Sequence, residues 1–85
     1  ELKTYHHSGE INSQVDDKDA VLKQLVEKYS DAKISYLDGV TITYDDYWFN
    51  VRPSNTEPKL RLNLEAKTKE LMEEKQDEVL AIIRG

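Results

Sequence analysis

Cysteine is absent from this chain, which removes disulfide staples and thiolate metal sites from the ways a small domain can be held together. No apolar run is long enough to span a bilayer, and no signal-peptide pattern is present, so a membrane partner is not expected. A lack of cysteine is also compatible with a reducing compartment, and a cytoplasmic location is the expectation. Basic residues are in deficit: Lys and Arg number 12 against 17 Asp and Glu, giving a formal net charge of -5. That balance argues against nucleic acid or an anionic membrane surface as the partner of the whole domain. Glycine and proline are scarce, at three and two residues. What remains is an 85-residue chain with 34% charged and 38% hydrophobic residues, a composition of one small folded domain rather than of disorder. The chain begins at Glu1, and a piece of a longer protein is the natural expectation.

Both prolines bracket one stretch, Arg52-Pro53-Ser54-Asn55-Thr56-Glu57-Pro58. Each fixes its own φ and pushes the preceding residue into an extended conformation, so the loop's edges have little freedom. Arg52 offers a planar fork of donors, Ser54 and Thr56 offer hydroxyls, and Asn55 offers an amide and tolerates positive φ. Successive backbone N–H groups in such a turn can converge on an anion. This is donor chemistry suited to a phosphate; the competing reading is a rigid polar turn whose side chains cap their own backbone.

The flanks alternate with period 2, as strands do. Tyr47, Phe49 and Val51 share one face, and Trp48, Asn50 and Arg52 the other. In the following segment Leu60, Leu62 and Leu64 oppose Lys59, Arg61, Asn63 and Glu65. A hairpin that keeps the apolar set together puts Arg52 and Arg61 on one face, directly opposite or diagonal. Such like charges need a counter-charge, which Glu57, Glu65 or a bound dianion can supply.

Elsewhere the pattern is scaffold. Residues 1–9 read as a lead-in without clear period. The pair His6-His7 points to opposite sides of an extended chain and has no third ligand spaced to join it, so metal binding is not expected there. Glu10–Val15 reads as a short edge strand or connection. A helix capped by Asp16 or Asp17 runs to about Tyr29, burying Val21, Leu22, Leu25, Val26 and Tyr29 and leaving Lys18, Lys23, Gln24, Glu27 and Lys28 to water. Ala32–Leu37 and Val40–Tyr44 read as strands about an Asp38-Gly39 turn. A two-residue turn there places Ser35 rather than Ile34 beside Ile42, which predicts a bulge or a different loop length. Asp45-Asp46 reads as a solvated hairpin turn that brings Ile42 beside Phe49 and Val40 beside Val51. From Ala66 to Arg84 a second helix is expected, with Thr68 as a cap, an inner stripe of Leu71, Met72, Lys75, Val79, Ile82 and Ile83, and an acidic outer face. The expected architecture is α+β: a mostly antiparallel sheet with two helices on one face and the other face free.

The run Arg52-Pro53-Ser54-Asn55-Thr56-Glu57-Pro58-Lys59-Leu60-Arg61, followed by Glu65-Ala66, resembles the C-terminal domain of the α-D-phosphohexomutases, the phosphomannomutase/phosphoglucomutase enzymes. Ser8-Gly9-Glu10-Ile11-Asn12 upstream and Asp38-Gly39-Val40 with Trp48 between fall in the family's order, so the resemblance spans nearly the whole chain. It implies a TATA-binding-protein-like fold and a place as the fourth domain of a four-domain isomerase. In that family this loop grips the phosphate that is not being transferred. Carried over, Arg52, Ser54, Asn55 and Thr56 would bind the phosphate of a hexose phosphate, with Arg61 added on the shared-face argument. The phosphorylated serine, the aspartate-rich magnesium loop and the sugar-specificity loop belong to the family's earlier domains, so magnesium is expected in another domain and the other domains are the expected partners. Asn55 after the serine is more similar to phosphomannomutase or phosphoglucomutase than to glucosamine-phosphate mutases. Two other classes stand beside this one. A protein-interaction module has no reason to concentrate donors at residues 52–56, and a nucleic-acid binder is opposed by the net charge.

Overall fold

A computed structural model describes residues 5–36, 39–54 and 57–84. Its elements in chain order are strands β1 (His6–His7) and β2 (Ile11–Gln14), helix α1 (Lys18–Lys28), strands β3 (Lys33–Ser35), β4 (Val40–Thr43), β5 (Tyr47–Pro53) and β6 (Lys59–Ala66), and helix α2 (Lys69–Arg84). All pairings are antiparallel, in the order β1-β6-β5-β4-β3 with β2 also on β6. Both helices pack on one face of the sheet, and the expected α+β architecture is what is observed.

The alternation of β5 and β6 sets the centre. Phe49 pairs with Leu64 and Val51 with Leu62, and all four side chains are fully buried. Each such side chain contributes about 1.5–3 kcal/mol by leaving water, whereas a one-residue slip would expose the whole row. On the other side of β5, Ile42 pairs with Phe49 and Val40 with Val51. The Asp45-Asp46 turn is as short as expected, closed by the Tyr44 N–H donating to the Tyr47 carbonyl at 2.8 Å. Across Gly39 the register is Ile34 with Ile42 and Ser35 with Thr41. The connection is therefore one residue longer than a two-residue turn, and the apolar faces agree. Leu37 and Asp38 lie outside the described residues; β3 ends at Ser35, short of the expected Leu37.

Three boundaries differ from the sequence reading. His6–His7 forms a strand on β6, although the lead-in has no period. Gly9 makes this compatible with β2: the four steps from His7 to Ile11 oppose three from Glu65 to Leu62, so one extra residue bulges out, and Gly9 takes φ +77°. The Ser8 hydroxyl accepts from the Leu64 N–H at 3.1 Å there, replacing a ladder acceptor. Second, Ala66 belongs to β6, fully buried opposite Tyr47, and α2 starts only at Lys69, where the Thr68 hydroxyl accepts from the Leu71 N–H at 3.1 Å. Third, β5 extends to Pro53, which β6 can pair because the missing N–H falls at the strand's end.

Asp17 caps α1, accepting from the Ala20 N–H at 3.1 Å, a contact worth about 1 kcal/mol. Leu25 is fully buried, and Tyr29 at the far end meets the Phe49 ring edge-on at 5.2 Å between centroids. In α2, Val79 and Ile83 face the core. Arg84 donates to the buried Ser13 hydroxyl at 3.1 Å, which fixes the end of α2 to β2. The sheet's other face carries Asn12, Thr41, Trp48, Asn50, Arg52, Arg61 and Asn63, and among the described residues no helix lies over it.

Candidate functional site

The β5–β6 connection lies at one end of the sheet, and its rims are held by backbone. The Ser54 N–H donates to the Lys59 carbonyl at 2.9 Å and the Lys59 N–H to the Glu57 carbonyl at 2.8 Å. The Val15 N–H donates to the Pro58 carbonyl at 2.8 Å, so the outgoing limb of the loop is also tied to the segment that enters α1. Pro53 and Pro58 therefore sit in a turn whose two ends cannot separate without breaking ladder bonds.

Of the residues singled out from the sequence, Arg52 and Arg61 are brought together as direct cross-strand partners on the open face, and both are exposed. Ser54 lies half-buried one residue beyond the end of β5. Asn55 and Thr56 lie outside the described residues. Each acid suggested as a counter-charge has a basic neighbour of its own. Glu57 faces Lys59 at 3.5 Å and Glu65 faces His7 at 3.6 Å, while Arg61 has Glu10 at 4.0 Å, with both side chains about half exposed. Pairs this open and this long contribute about 0–1 kcal/mol. His7, besides facing Glu65, accepts from the Gly9 N–H at 3.0 Å; its role is to fix the bulge.

Two contributors were missed from sequence. Gly39 takes φ +69°, and a Cβ built on it would lie 2.5 Å from the Val51 carbonyl oxygen and 2.9 Å from Arg52 Cγ. The hairpin corner is pressed onto the root of the Arg52 side chain, an approach only glycine permits. The Asp38-Gly39 turn signal located this glycine but not its neighbour. Lys18, read as a solvent-facing helix residue, is half-buried instead. Its ammonium donates to the Ser54 carbonyl at 2.9 Å and the Glu57 carbonyl at 3.4 Å. A lysine at the positive end of a helix is the one sequence sign that could have drawn attention to it.

The titration-shifted groups sit elsewhere, in an open cleft of about 500 Å³ between α1, α2 and the β4–β5 turn. Tyr29 donates to Glu78, and Lys75 lies 3.4 Å from the same carboxylate. The hydrogen bond from Tyr29 holds Glu78 below its usual range, with Lys75 assisting. Burial, then the hydrogen bond to Asp31, pushes Tyr44 up to about 12, and burial raises Tyr29 and Tyr47 further. This network ties the two helices to the β4–β5 turn and is remote from Arg52. Among the described residues no group of three or more His, Cys, Asp or Glu is placed to hold a metal ion, and no helix is long and apolar enough to cross a membrane.

A basic patch at the rim of a constrained polar loop, on an acidic chain, can hold an oxyanion by charge-assisted hydrogen bonds. Residues 10–82 match the family described as Phosphoglucomutase/phosphomannomutase, C-terminal domain. The chain is 47% identical over 83 residues to a phosphomannomutase of Methanocaldococcus jannaschii, covering 98% of this chain and 18% of that protein. It is 40% identical over 87 residues to a protein of Xanthomonas campestris pv. campestris named for phosphohexose mutases, covering 99% of this chain and 19% of the relative. A probable phosphoglucosamine mutase of Methanopyrus kandleri is 44% identical over 61 residues, covering 72% of this chain and 13% of that protein. The chain thus spans less than a fifth of the length of these relatives.

Proposed function

Because the chain belongs to the phosphoglucomutase/phosphomannomutase C-terminal domain family, we propose that it is the phosphate-binding domain of a larger phosphohexomutase, an isomerase that moves a phosphoryl group between the 1- and 6-positions of a hexose phosphate. The observation that carries this reading is the register that sets Arg52 directly opposite Arg61 beside the proline-bracketed loop. Two guanidiniums on one exposed face can both donate charge-assisted hydrogen bonds to a phosphate dianion beside them.

In this reading Arg52 grips two phosphate oxygens with its planar fork. Ser54 and, as the family resemblance implies, Asn55 and Thr56 add neutral donors, and Arg61 adds a second charge. A mutase that forms a bisphosphate and takes back the other phosphate must hold either end of the sugar in one place. A rigid cradle that reads only tetrahedral oxygens is indifferent to which end it holds, and it supplies the positioning on which phosphoryl transfer depends. Magnesium, which neutralises charge on the transferring group, is held by another segment of the parent chain; the residues here bind and orient. The parent works in the cytoplasm, its other domains are this chain's partners, and the family's TATA-binding-protein-like fold is the architecture proposed for the arrangement above. A phosphomannomutase or phosphoglucomutase is favoured over a phosphoglucosamine mutase, since the relative matched along 98% of the chain is named a phosphomannomutase and the glucosamine relative covers 72%.

Titrating inorganic phosphate or glucose 1-phosphate into isotope-labelled protein tests this. Amide signals of residues 54–57 and the Arg52 side-chain signal should shift, with sulfate competing and helix signals still. Affinity should be about millimolar, equivalent to about 4 kcal/mol. Arg52→Ala removes a charge-assisted contact worth about 1.5–3 kcal/mol and should weaken binding at least tenfold. Shifts spread over the helix lysines, or none in the loop at saturating phosphate, would refute the reading. The chain alone should show no mutase turnover.

A further inference from the structure

We propose that Lys18 is a positioning residue for the phosphate loop: its ammonium ties the loop's two rims together and turns their carbonyl oxygens toward α1. The effect on phosphate rests on the function proposed above; the tie itself rests on geometry.

Lys18 is the first residue of α1, where the helix dipole disfavours a cation, so the helix itself gives no reason for a lysine there. Its stem instead carries the ammonium to two carbonyls 36 and 39 residues away, Ser54 at 2.9 Å and Glu57 at 3.4 Å. These stand at the two ends of the connection, Ser54 just after Arg52-Pro53 and Glu57 just before Pro58. An ammonium has three donors and no acceptor, so one side chain can bridge both. Backbone oxygens repel an anion; here two of them are drawn to the helix side and partly neutralised. The Asp17 cap fixes the root of Lys18 at α1, and the bond from the Val15 N–H to the Pro58 carbonyl fixes the same segment against the loop. The start of α1 thus acts as a buttress, with the ammonium as its contact point.

The test compares Lys18→Met, which keeps the stem and loses the donors, with Lys18→Arg, which keeps charge and donors. Two quantities are read on the labelled 85-residue chain: the dissociation constant for inorganic phosphate, and hydrogen exchange at the Ser54 and Lys59 amides, which close the loop. Methionine suits a helix and removes an ill-placed charge from its positive end, so α1 should be undisturbed. We expect K18M to weaken phosphate about fivefold, the scale of one ordinary intramolecular hydrogen bond, and to speed exchange at both amides; Lys18→Arg should restore both. Unchanged exchange in K18M overturns the proposal, even if affinity falls, because the lysine then acts only as a distant charge. Should unsubstituted protein fail to bind phosphate, the functional reading falls, and the exchange rates still decide whether Lys18 holds the loop.

Discussion

Gly39→Ala tests whether the hairpin corner positions Arg52, and Gly9→Ala provides its control. Both glycines have positive φ, +69° and +77°, so alanine at either costs about 1–2 kcal/mol of backbone strain, reduced by about 0.4–1 kcal/mol through the stiffer unfolded chain. Only Gly39 adds a collision. Its Cβ would meet the Val51 carbonyl oxygen at 2.5 Å and Arg52 Cα at 3.0 Å, whereas Gly9 has nothing within 4 Å. Val51 lies in the middle of the sheet and cannot yield cheaply, so the corner must lift away, at about 1–3 kcal/mol for overpacking. Gly39→Ala should therefore lose about 2–4 kcal/mol and Gly9→Ala about 1 kcal/mol. At about 4–8 °C per kcal/mol for a domain of this size, the melting temperatures should fall by roughly 10–30 °C and about 5 °C. Urea melts of both variants measure the difference, and phosphate titration of Gly39→Ala should show weaker binding because Arg52 has moved. Equal destabilisation of the two variants would refute the argument that close approach, rather than backbone conformation, fixes the glycine at 39.

Arg61→Ala should separate binding from folding. Losing a cross-strand like-charge partner and a loose contact to Glu10 changes stability by less than about 1 kcal/mol, while phosphate affinity falls several-fold; a destabilised variant with unchanged affinity would make Arg61 scaffold. Stability should also fall at both ends of the pH scale. Glu78 titrates lower folded than unfolded, so its contribution is present above about pH 4.5 and is lost as pH falls through the lower folded value. The phenols titrate higher folded than unfolded, Tyr44 at about 12, so their contribution is present below about pH 10 and is lost as pH rises above it. Tyr29→Phe, which removes the bond to Glu78, should flatten the acid limb in urea melts at pH 3–7, and an unaltered limb would rule that bond out as its cause.

Phe49, Val51, Leu62 and Leu64 bury together only in registers that keep the two alternations in phase, and every such register puts Arg52 and Arg61 on the same side. The sequence alone therefore determined that Arg52 and Arg61 share a face. It likewise narrowed the first cap to Asp16 or Asp17 and pointed to Thr68 for the second, since cap hydrogen bonds are local, and it restricted the backbone at the two prolines. The β3–β4 register was legible only as a conflict between turn length and face, which one further residue resolves. Tertiary structure alone decided that Arg52 and Arg61 stand directly opposite, that His6–His7 joins β6 across a bulge, and that Ala66 remains in a strand. It also decided that Gly39 presses on Arg52 and Lys18 reaches the loop carbonyls. The division follows from range. Alternation, caps and proline restrict the backbone through neighbours in sequence, so they can be read from a window of residues. A lysine at the start of a helix is the same residue whether water or two carbonyls surround its ammonium, and only packing α1 against the sheet brings those carbonyls, 36 and 39 positions away, within reach.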